Sequence, residues 1–182
     1  MDDALTPVMQ VEYVETTALA AEQRRAMLDL CRAAYDEDLA HYLADIGPGL
    51  HALGCVQGTL VAHAMIVRRE LHTAGHVLQA AYVELVATLP RAQRRGHGSA
   101  VLQALAGQMD AYDIGALSPS DERFYAPLGW ELWRGPLSVR TDDGVVPSPP
   151  DEQVMVLRLP RTPVDLDLHA PLSVEWRPGE VW

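Results

Sequence analysis

The sequence contains no lysine, because all 14 of its basic residues are arginine. A Schiff-base lysine and a Walker-type phosphate loop are therefore excluded, since each needs a lysine amine. The 182-residue chain also lacks any run of about 18 consecutive apolar residues, the length that a membrane-spanning helix needs. We expect a protein with no membrane partner.

Cysteine is scarce as well. Cys31 and Cys55 lie in apolar surroundings without C-x-x-C spacing, which favours buried thiols over a disulfide or a metal site. The acidic start, Met1-Asp2-Asp3, has neither the basic segment nor the apolar core of a secretory signal. We therefore expect a cytoplasmic protein and no metal centre.

Acidic residues outnumber basic ones by 25 to 14, which gives a formal net charge of -11. Nucleic acid is an unfavourable partner for such a chain, because phosphates need a basic surface. Residues 1–45 and 141–182 are strongly acidic, whereas residues 46–140 are nearly neutral. The ends can attract a cation and the middle can hold an anion, but acidic ends that only aid solubility explain the same pattern.

Hydrophobic periodicity indicates one globular domain over residues 1–182, since neither a repeat nor a linker divides the chain. Residues 36–45 form an acidic turn or short helix, and residues 141–153 form a proline-rich excursion. Helices are predicted over residues 18–35, 99–112 and 121–128. Strands are predicted over residues 8–15, 51–56, 59–71, 76–88, 115–118, 130–139 and 154–159.

A glycine-containing loop joins the strand that ends at Thr88 to the next predicted helix. Its glycines let backbone N–H groups approach phosphate oxygens, the helix N-terminus adds partial positive charge, and arginines supply counter-charge. The loop therefore predicts a cradle for a pyrophosphate, with a tight turn bearing surface arginines as the alternative. The candidate residues are Gln93, Arg94, Arg95, Gly96, His97, Gly98 and Ser99.

The strand over residues 76–88 carries a single acidic residue, Glu84. A period of two predicts that Tyr82, Glu84 and Val86 share one face. Burial there would raise the pKa of Glu84 toward the range of a general base. The alternative is that Glu84 lies at an exposed strand end.

Several segments together resemble one known family. The QRRGHG loop and the order of elements are similar to those of the GNAT superfamily of acetyl-CoA-dependent N-acetyltransferases. More narrowly, YVELVAT, GALSPS, FYAPLGW, GPLSV and EWRPGEVW resemble the aminoglycoside 2'-N-acetyltransferases, from about Tyr35 to Trp182. The resemblance implies an α+β GNAT fold: a central mixed, mostly antiparallel twisted sheet flanked by helices, with a splayed strand pair that holds acetyl-CoA.

The resemblance also implies an activity. The amine of an aminoglycoside attacks the thioester of acetyl-CoA directly, so that the 2'-amino group is acetylated, coenzyme A is released and the antibiotic is inactivated. A homodimer is implied as well. Two rival functions remain open: acetylation of another amine, such as a polyamine or a cell-wall amino sugar, and a non-catalytic module that binds an aminoglycoside or coenzyme A.

This chemistry needs a base for the amine and an acid for the departing thiolate. By resemblance, Glu84 is the base, acting through water, and the backbone of Val86 and Thr88 binds acetyl-CoA. The Val86 N–H would polarise the thioester carbonyl. Tyr125 stands where the family keeps the tyrosine that protonates the thiolate, although the residues alone favour a core aromatic beside Phe124 and Trp130.

Aminoglycosides carry several ammonium groups, so their site needs carboxylates and hydroxyl acceptors. By resemblance the family uses an aspartate near residues 36–38, assigned to Asp38, and the α-carboxylate of Trp182 is itself a ligand. The candidate substrate contacts are Asp36, Asp38, Tyr82, Glu84, Ser118, Asp151, Glu152, Glu180 and Trp182.

Three histidines have simpler explanations than a metal site. Ala74 and Gly75 lie between His72 and His76, so this pair is expected to flank a hairpin turn. His63 lies within an apolar strand and is expected to be a core histidine whose hydrogen bonds are satisfied.

Overall fold

A computed structural model of the chain describes residues 8–182, so the acidic start at Met1 lies outside the described residues. The helices are α1 (Ala21–Tyr35), α2 (Ala40–Ile46), α3 (His97–Ala106) and α4 (Glu122–Tyr125). The strands are β1 (Gln10–Glu15), β2 (Leu50–Val56), β3 (Thr59–Thr73), β4 (His76–Thr88), β5 (Ile114–Leu117), β6 (Glu131–Leu132), β7 (Leu137–Thr141), β8 (Gly144–Pro147), β9 (Met155–Arg158) and β10 (Leu172–Glu175).

All these strands belong to one mixed sheet. The order is β6-β9-β5-β4-β3-β10-β7-β8, and β2 pairs with β3 and with β1. Among the described strands, the pairs β4–β5 and β10–β7 are parallel and the other pairs are antiparallel. The predicted fold class, a mixed and mostly antiparallel sheet flanked by helices, is therefore confirmed.

Helices cover both faces of the sheet. Helix α1 buries Met27, Leu30 and Cys31, three residues at helical spacing, with Met65 and Val67 of β3. Helix α3 packs on the opposite face, together with Ala64 and Ile66 of the same strand, because neighbouring strand residues point to opposite sides. No helix within residues 8–182 is long and apolar enough to cross a membrane.

Strands β4 and β5 diverge after a short stretch of pairing. They pair only over Ala80–Tyr82 and Ile114–Ala116, and β5 ends at Leu117, whereas β4 continues to Thr88. Within the described chain, residues 83–88 therefore have no strand partner on the β5 side. This is the open edge of β4, and its backbone groups are free to bind a ligand.

A β-bulge interrupts β4 at the start of that edge. His63 pairs with Ala87 and Met65 with Glu84, so two residues, Leu85 and Val86, lie opposite one residue of β3. Leu85 has a positive φ of 51°, a conformation that a bulge can impose on a non-glycine residue.

The bulge makes the predicted common face of Tyr82, Glu84 and Val86 wrong. Leu85 packs with the α1 side of the sheet, whereas Val86 packs with Val83 on the α3 side. An extra residue in a strand reverses the alternation beyond it, so Val86 leaves the face on which Tyr82 and Glu84 lie.

Other boundaries also differ from the predictions. The single strand predicted over residues 130–139 is split into β6 and β7. At the break, the backbone N–H groups of Arg134 and Gly135 donate to the Leu168 carbonyl and not to a neighbouring strand. Helix α3 ends before Gly107 and not at residue 112. Strands β8 and β10 were not predicted, and β8 lies within the proline-rich excursion. The hairpin turn between His72 and His76 is confirmed. Cys31 is buried as predicted, while Cys55 is only half-buried.

Arg69 fastens the last residues of the chain to the sheet. Its side chain is buried on β3, and it donates to a Glu175 carboxylate oxygen at 2.7 Å, to the Glu175 carbonyl at 2.6 Å and to the Val181 carbonyl at 2.8 Å. The neighbouring Arg68 is exposed and bonds only to Gln79 within the described residues.

We expect Arg69→Met to loosen residues 176–182 and to lower the free energy of unfolding by about 2 kcal/mol, because it removes charge-assisted hydrogen bonds and leaves their acceptors unpaired. Urea unfolding and amide hydrogen exchange in the C-terminal segment measure both effects. Arg68→Met is the matched control and should change neither; equal effects of the two substitutions would contradict this role of Arg69.

Candidate active site

A cavity of about 570 Å³ opens beside the open edge of β4. The end of α1, helix α2, strand β4, the segment after β5 and the C-terminal segment 176–182 surround it. Its lining is rich in carboxylates, which create a negative potential that favours cations. The acidic lining residues are Glu37, Asp38, Asp45, Glu84 and Glu180.

The predicted substrate contacts divide into two groups. Asp38, Glu84, Ser118, Glu180 and Trp182 all line this cavity. The other four predicted contacts do not, and each has another position in the fold.

Asp36 ends α1 in the left-handed conformation, with φ 57°, which aspartate tolerates better than most residues. Tyr82 is fully buried behind Glu84. Asp151 is exposed in the excursion after β8. Glu152 accepts a hydrogen bond of 2.9 Å from the hydroxyl of Ser118. It therefore fixes the position of Ser118, which lines the cavity, without lining the cavity itself.

Glu84 is a buried carboxylate with a partner on each oxygen. Tyr42 of α2 donates to one oxygen at 2.7 Å, and Arg177 donates to the other at 2.6 Å. Burial raises the pKa of Glu84 above its usual value, and the charge and hydrogen bond of Arg177 oppose that rise. Such a carboxyl group can exchange a proton nearer to neutral pH than an exposed glutamate.

Tyr42 and Arg177 were not predicted from the sequence. Arg177 lies within the EWRPGEVW segment. Its position as a basic residue in an acidic stretch is the only feature of the sequence that indicates pairing with a buried carboxylate. Its Nε donates to the Glu180 carbonyl at 2.6 Å, and its guanidinium lies over the Tyr82 ring at 5.8 Å. Tyr42 lies on the short helix α2, whose contact with β4 depends on the tertiary fold.

Tyr125 lines the same cavity as Glu84, and only 4% of its surface is exposed. Burial raises the pKa of its phenol, so the group stays protonated at neutral pH and can act as a proton donor. Edge-to-face packing on Phe124 and on Trp130 fixes the ring. Tyr125 can therefore be a core aromatic residue and still act as a proton donor in the cavity.

The backbone of the open edge is held from the α1 side. The Tyr35 hydroxyl donates to the Val86 carbonyl at 2.6 Å, so this carbonyl already has one partner. Val86 lines the cavity, and Thr88 ends the strand close to the start of α3, where a side chain at Gly98 would meet the Thr88 hydroxyl at 3.0 Å. Gly98 thus allows helix and strand to approach closely.

The predicted pyrophosphate loop lies between these two elements. Positive φ angles at Arg94 and Gly96, of 60° and 81°, turn the chain into the first turn of α3. Within residues 8–182, no hydrogen-bond acceptor is found for the backbone N–H groups of residues 94–99. A run of free N–H groups at a helix N-terminus, with Gln93, Arg94 and Arg95 exposed beside it, suits an anion.

The C-terminal segment closes one side of the cavity, and the excursion of residues 141–153 holds its last residue. Trp182 is buried, and its indole N–H donates to the Ser148 hydroxyl at 2.7 Å. Gly179 lies against Asp45 of α2. Among the described residues, no cluster of three His, Cys, Asp or Glu side chains could hold a metal ion.

Comparisons with known proteins agree with this geometry. Residues 17–133 match the acetyltransferase (GNAT) domain family. The chain is 35% identical over 177 residues to the aminoglycoside 2'-N-acetyltransferase of Mycolicibacterium fortuitum, covering 93% of this chain and 90% of that protein. The chain therefore belongs to the GNAT acetyltransferase family.

Solved structures support the same fold. A GNAT family N-acetyltransferase from Escherichia coli, solved in complex with CoA, has a TM-score of 0.63 at 17% identity and covers 97% of this chain and 92% of its own. A GCN5-related N-acetyltransferase from Anabaena variabilis has a TM-score of 0.59 at 16% identity over 70% of this chain. The match spans only 33% of that longer protein.

We expect Arg177→Gln to raise the pKa of Glu84 further, because it removes the positive charge that opposes the effect of burial. Arg177→Lys keeps that charge and should shift the pKa less. The ¹³C chemical shift of the Glu84 carboxyl group, followed against pH, measures both. An unchanged pKa in the glutamine variant would show that Arg177 does not control this carboxylate.

Proposed function

We propose that this protein, as a single domain over residues 1–182, transfers the acetyl group of acetyl-CoA to the 2'-amino group of aminoglycosides. The observation that carries the proposal is the acidic cavity at the open edge of β4, where buried Glu84 and Tyr125 line one space. The 35% identity to an aminoglycoside 2'-N-acetyltransferase over 93% of the chain supports this choice of substrate.

The cofactor would lie along the open edge. Residues 93–99 would bind its pyrophosphate through free N–H groups and arginine charge. The backbone of Val86 and Thr88 would hold the pantetheine and the acetyl group, with the Val86 N–H donating to the thioester carbonyl.

The chemical step is then a direct transfer. Glu84 takes a proton from the amine through a water molecule, and the amine nitrogen forms a bond to the carbonyl carbon. The carbon–sulfur bond breaks, and the thiolate receives a proton from the Tyr125 hydroxyl. The products are the acetylated amine and coenzyme A. Glu84 then releases its proton to solvent, and the Tyr125 phenolate takes one up from solvent.

Charge favours a substrate with several amines. The lining carboxylates come from four separate parts of the chain, the end of α1, helix α2, strand β4 and the C-terminal segment. A polycation would pair with several of them at once, whereas a neutral amine would leave them without partners. Ser118, held by Glu152 and by the Gln153 carbonyl, would give a fixed hydroxyl contact.

The wider setting is also a proposal. We infer a homodimer, because the sequence resembles a family with this property. We also propose a cytoplasmic location, and antibiotic resistance as the consequence of acetylation. The net charge of -11 makes nucleic acid an unfavourable partner.

The proposal predicts thiol release from acetyl-CoA with aminoglycosides that carry a 2'-amine, and none with matched aminoglycosides that carry a 2'-hydroxyl. Nuclear magnetic resonance of the product should locate the acetyl group on the 2'-nitrogen. If a simple polyamine is acetylated and none of the aminoglycosides is, the substrate is another amine and the proposed substrate class is wrong. Binding of both ligands without thiol release would favour a non-catalytic module.

We expect Glu84→Gln to lower kcat/KM by about 100-fold near neutral pH, in the range of a lost general base. The loss should shrink as pH rises, because free amine then becomes abundant without a base. Glu37→Gln, a change at another lining carboxylate, should alter KM for the aminoglycoside and leave the pH profile unchanged. A pH-independent loss in Glu84→Gln would remove Glu84 from the base role.

A further inference from the structure

A row of three hydrogen-bonded side chains, each buried or half-buried, connects Thr16, the residue after β1, with the bulge of β4. The His63 Nδ1 lies 2.9 Å from the Leu85 carbonyl oxygen, its Nε2 lies 3.0 Å from the His51 Nδ1, and the His51 Nε2 lies 2.9 Å from the Thr16 hydroxyl. Both histidines are 0% exposed. The acid–base mechanism uses neither of them.

The Leu85 carbonyl, at the end of this row of hydrogen bonds, determines which ring nitrogens carry a proton. A carbonyl oxygen carries no proton, so the His63 Nδ1 must donate to Leu85. Burial lowers the pKa of His63 to about 3 and that of His51 to about 4, which keeps both rings neutral at pH 7. The His63 Nε2 must then accept from the His51 Nδ1–H, and the His51 Nε2 must accept from the Thr16 hydroxyl. The single proton of that hydroxyl is therefore directed to His51 and not to the Gly49 carbonyl, which lies 3.0 Å away.

The Leu85 carbonyl belongs to the same peptide group as the Val86 N–H. In a trans peptide the C=O and N–H bonds point in opposite directions. The His63 ring projects from β3 on the face opposite to its neighbours Ala62 and Ala64, which pack on the α3 side. A carbonyl turned toward that ring directs the Val86 N–H away from it, and we infer that this N–H faces the open edge. Hydrogen bonds in sequence also polarise one another, which makes that N–H a stronger donor.

We propose that His63, supported by His51 and Thr16, is a positioning residue that holds the Leu85–Val86 peptide so that the Val86 N–H points at the carbonyl of bound acetyl-CoA. The bulge takes Leu85 out of regular pairing with β3, and a buried carbonyl without a partner would be unfavourable. His63 supplies that partner and fixes the direction of the peptide in one contact. This inference rests on the proposed function only for the location of acetyl-CoA along the open edge.

The tautomers give a test that needs neither a variant nor turnover. Two-bond ¹H–¹⁵N correlation spectra of the whole ¹⁵N-labelled protein at pH 7 distinguish Nδ1–H from Nε2–H. We expect both His51 and His63 to be neutral and protonated on Nδ1. An Nε2–H tautomer or a charged ring at His63 would overturn the proposal, whatever the substrate of the enzyme is.

Substitutions of His63 test its effect on the Val86 N–H, the proposed hydrogen-bond donor to the thioester carbonyl. His63→Leu should lower kcat by about tenfold, less than the loss of a whole oxyanion donor, which is typically ~100-fold or more. The affinity for coenzyme A should not change, because this ligand has no acetyl carbonyl. The affinity for an unreactive ketone analogue of acetyl-CoA should fall by about the same factor as kcat, since both depend on the donor.

His63→Asn is the matched rescue, because the asparagine amide nitrogen can occupy the place of Nδ1 and donate to Leu85. It should recover most of the lost affinity for the ketone analogue. Equal loss of coenzyme A and ketone analogue in His63→Leu would indicate a merely structural role and overturn the proposal. Unchanged binding of both ligands in a folded His63→Leu protein would overturn it as well.

Discussion

The separation of β4 from β5 after Tyr82 is the constraint on which the rest of the site depends. Two paired strands satisfy each other's backbone groups, so a strand that continues alone must find other partners. In this chain the partners on one side are β3, the Tyr35 hydroxyl and His63. The side that faced β5 is left for a ligand. The bulge at Leu85 lies at the first residues of that opening, where one peptide has to be turned out of the regular pattern.

A single buried carboxylate connects this opening with the acidic cavity. Glu84 is removed from water, which favours its protonated form, while Arg177 and Tyr42 favour the ionised form. The balance suits a group that has to give up and regain a proton. Arg177 also belongs to the segment that carries Glu180 and Trp182, and Arg69 fastens that segment to β3. Glu84 and one wall of the cavity are therefore held in place by the same two arginines.

Local patterns in the sequence predicted most of the fold and part of the site. The extended segments that form β3 and β4 and the apolar stripe of α1 were predicted correctly, because long apolar runs and helical spacing are clear local signals. The bulge at Leu85 was missed, since an apolar run looks the same with or without one extra residue, and Val86 was therefore placed on the wrong face. Asp38, Glu84, Ser118, Glu180 and Trp182 were placed at the cavity by resemblance. Tyr42, Asp45 and Arg177 were not, because their contacts join segments far apart in sequence.

A crystal structure of the protein with coenzyme A and an aminoglycoside bearing a 2'-amine would show whether acetyl transfer takes place at the open edge of β4. We expect the cofactor sulfur to lie at that edge within hydrogen-bonding reach of the Tyr125 hydroxyl. The 2'-nitrogen should face that sulfur, connected to Glu84 through an ordered water, while the other ammonium groups contact the lining carboxylates. A cofactor bound away from residues 83–99, or an aminoglycoside whose 2'-nitrogen points away from the sulfur, would rule out this site for the transfer.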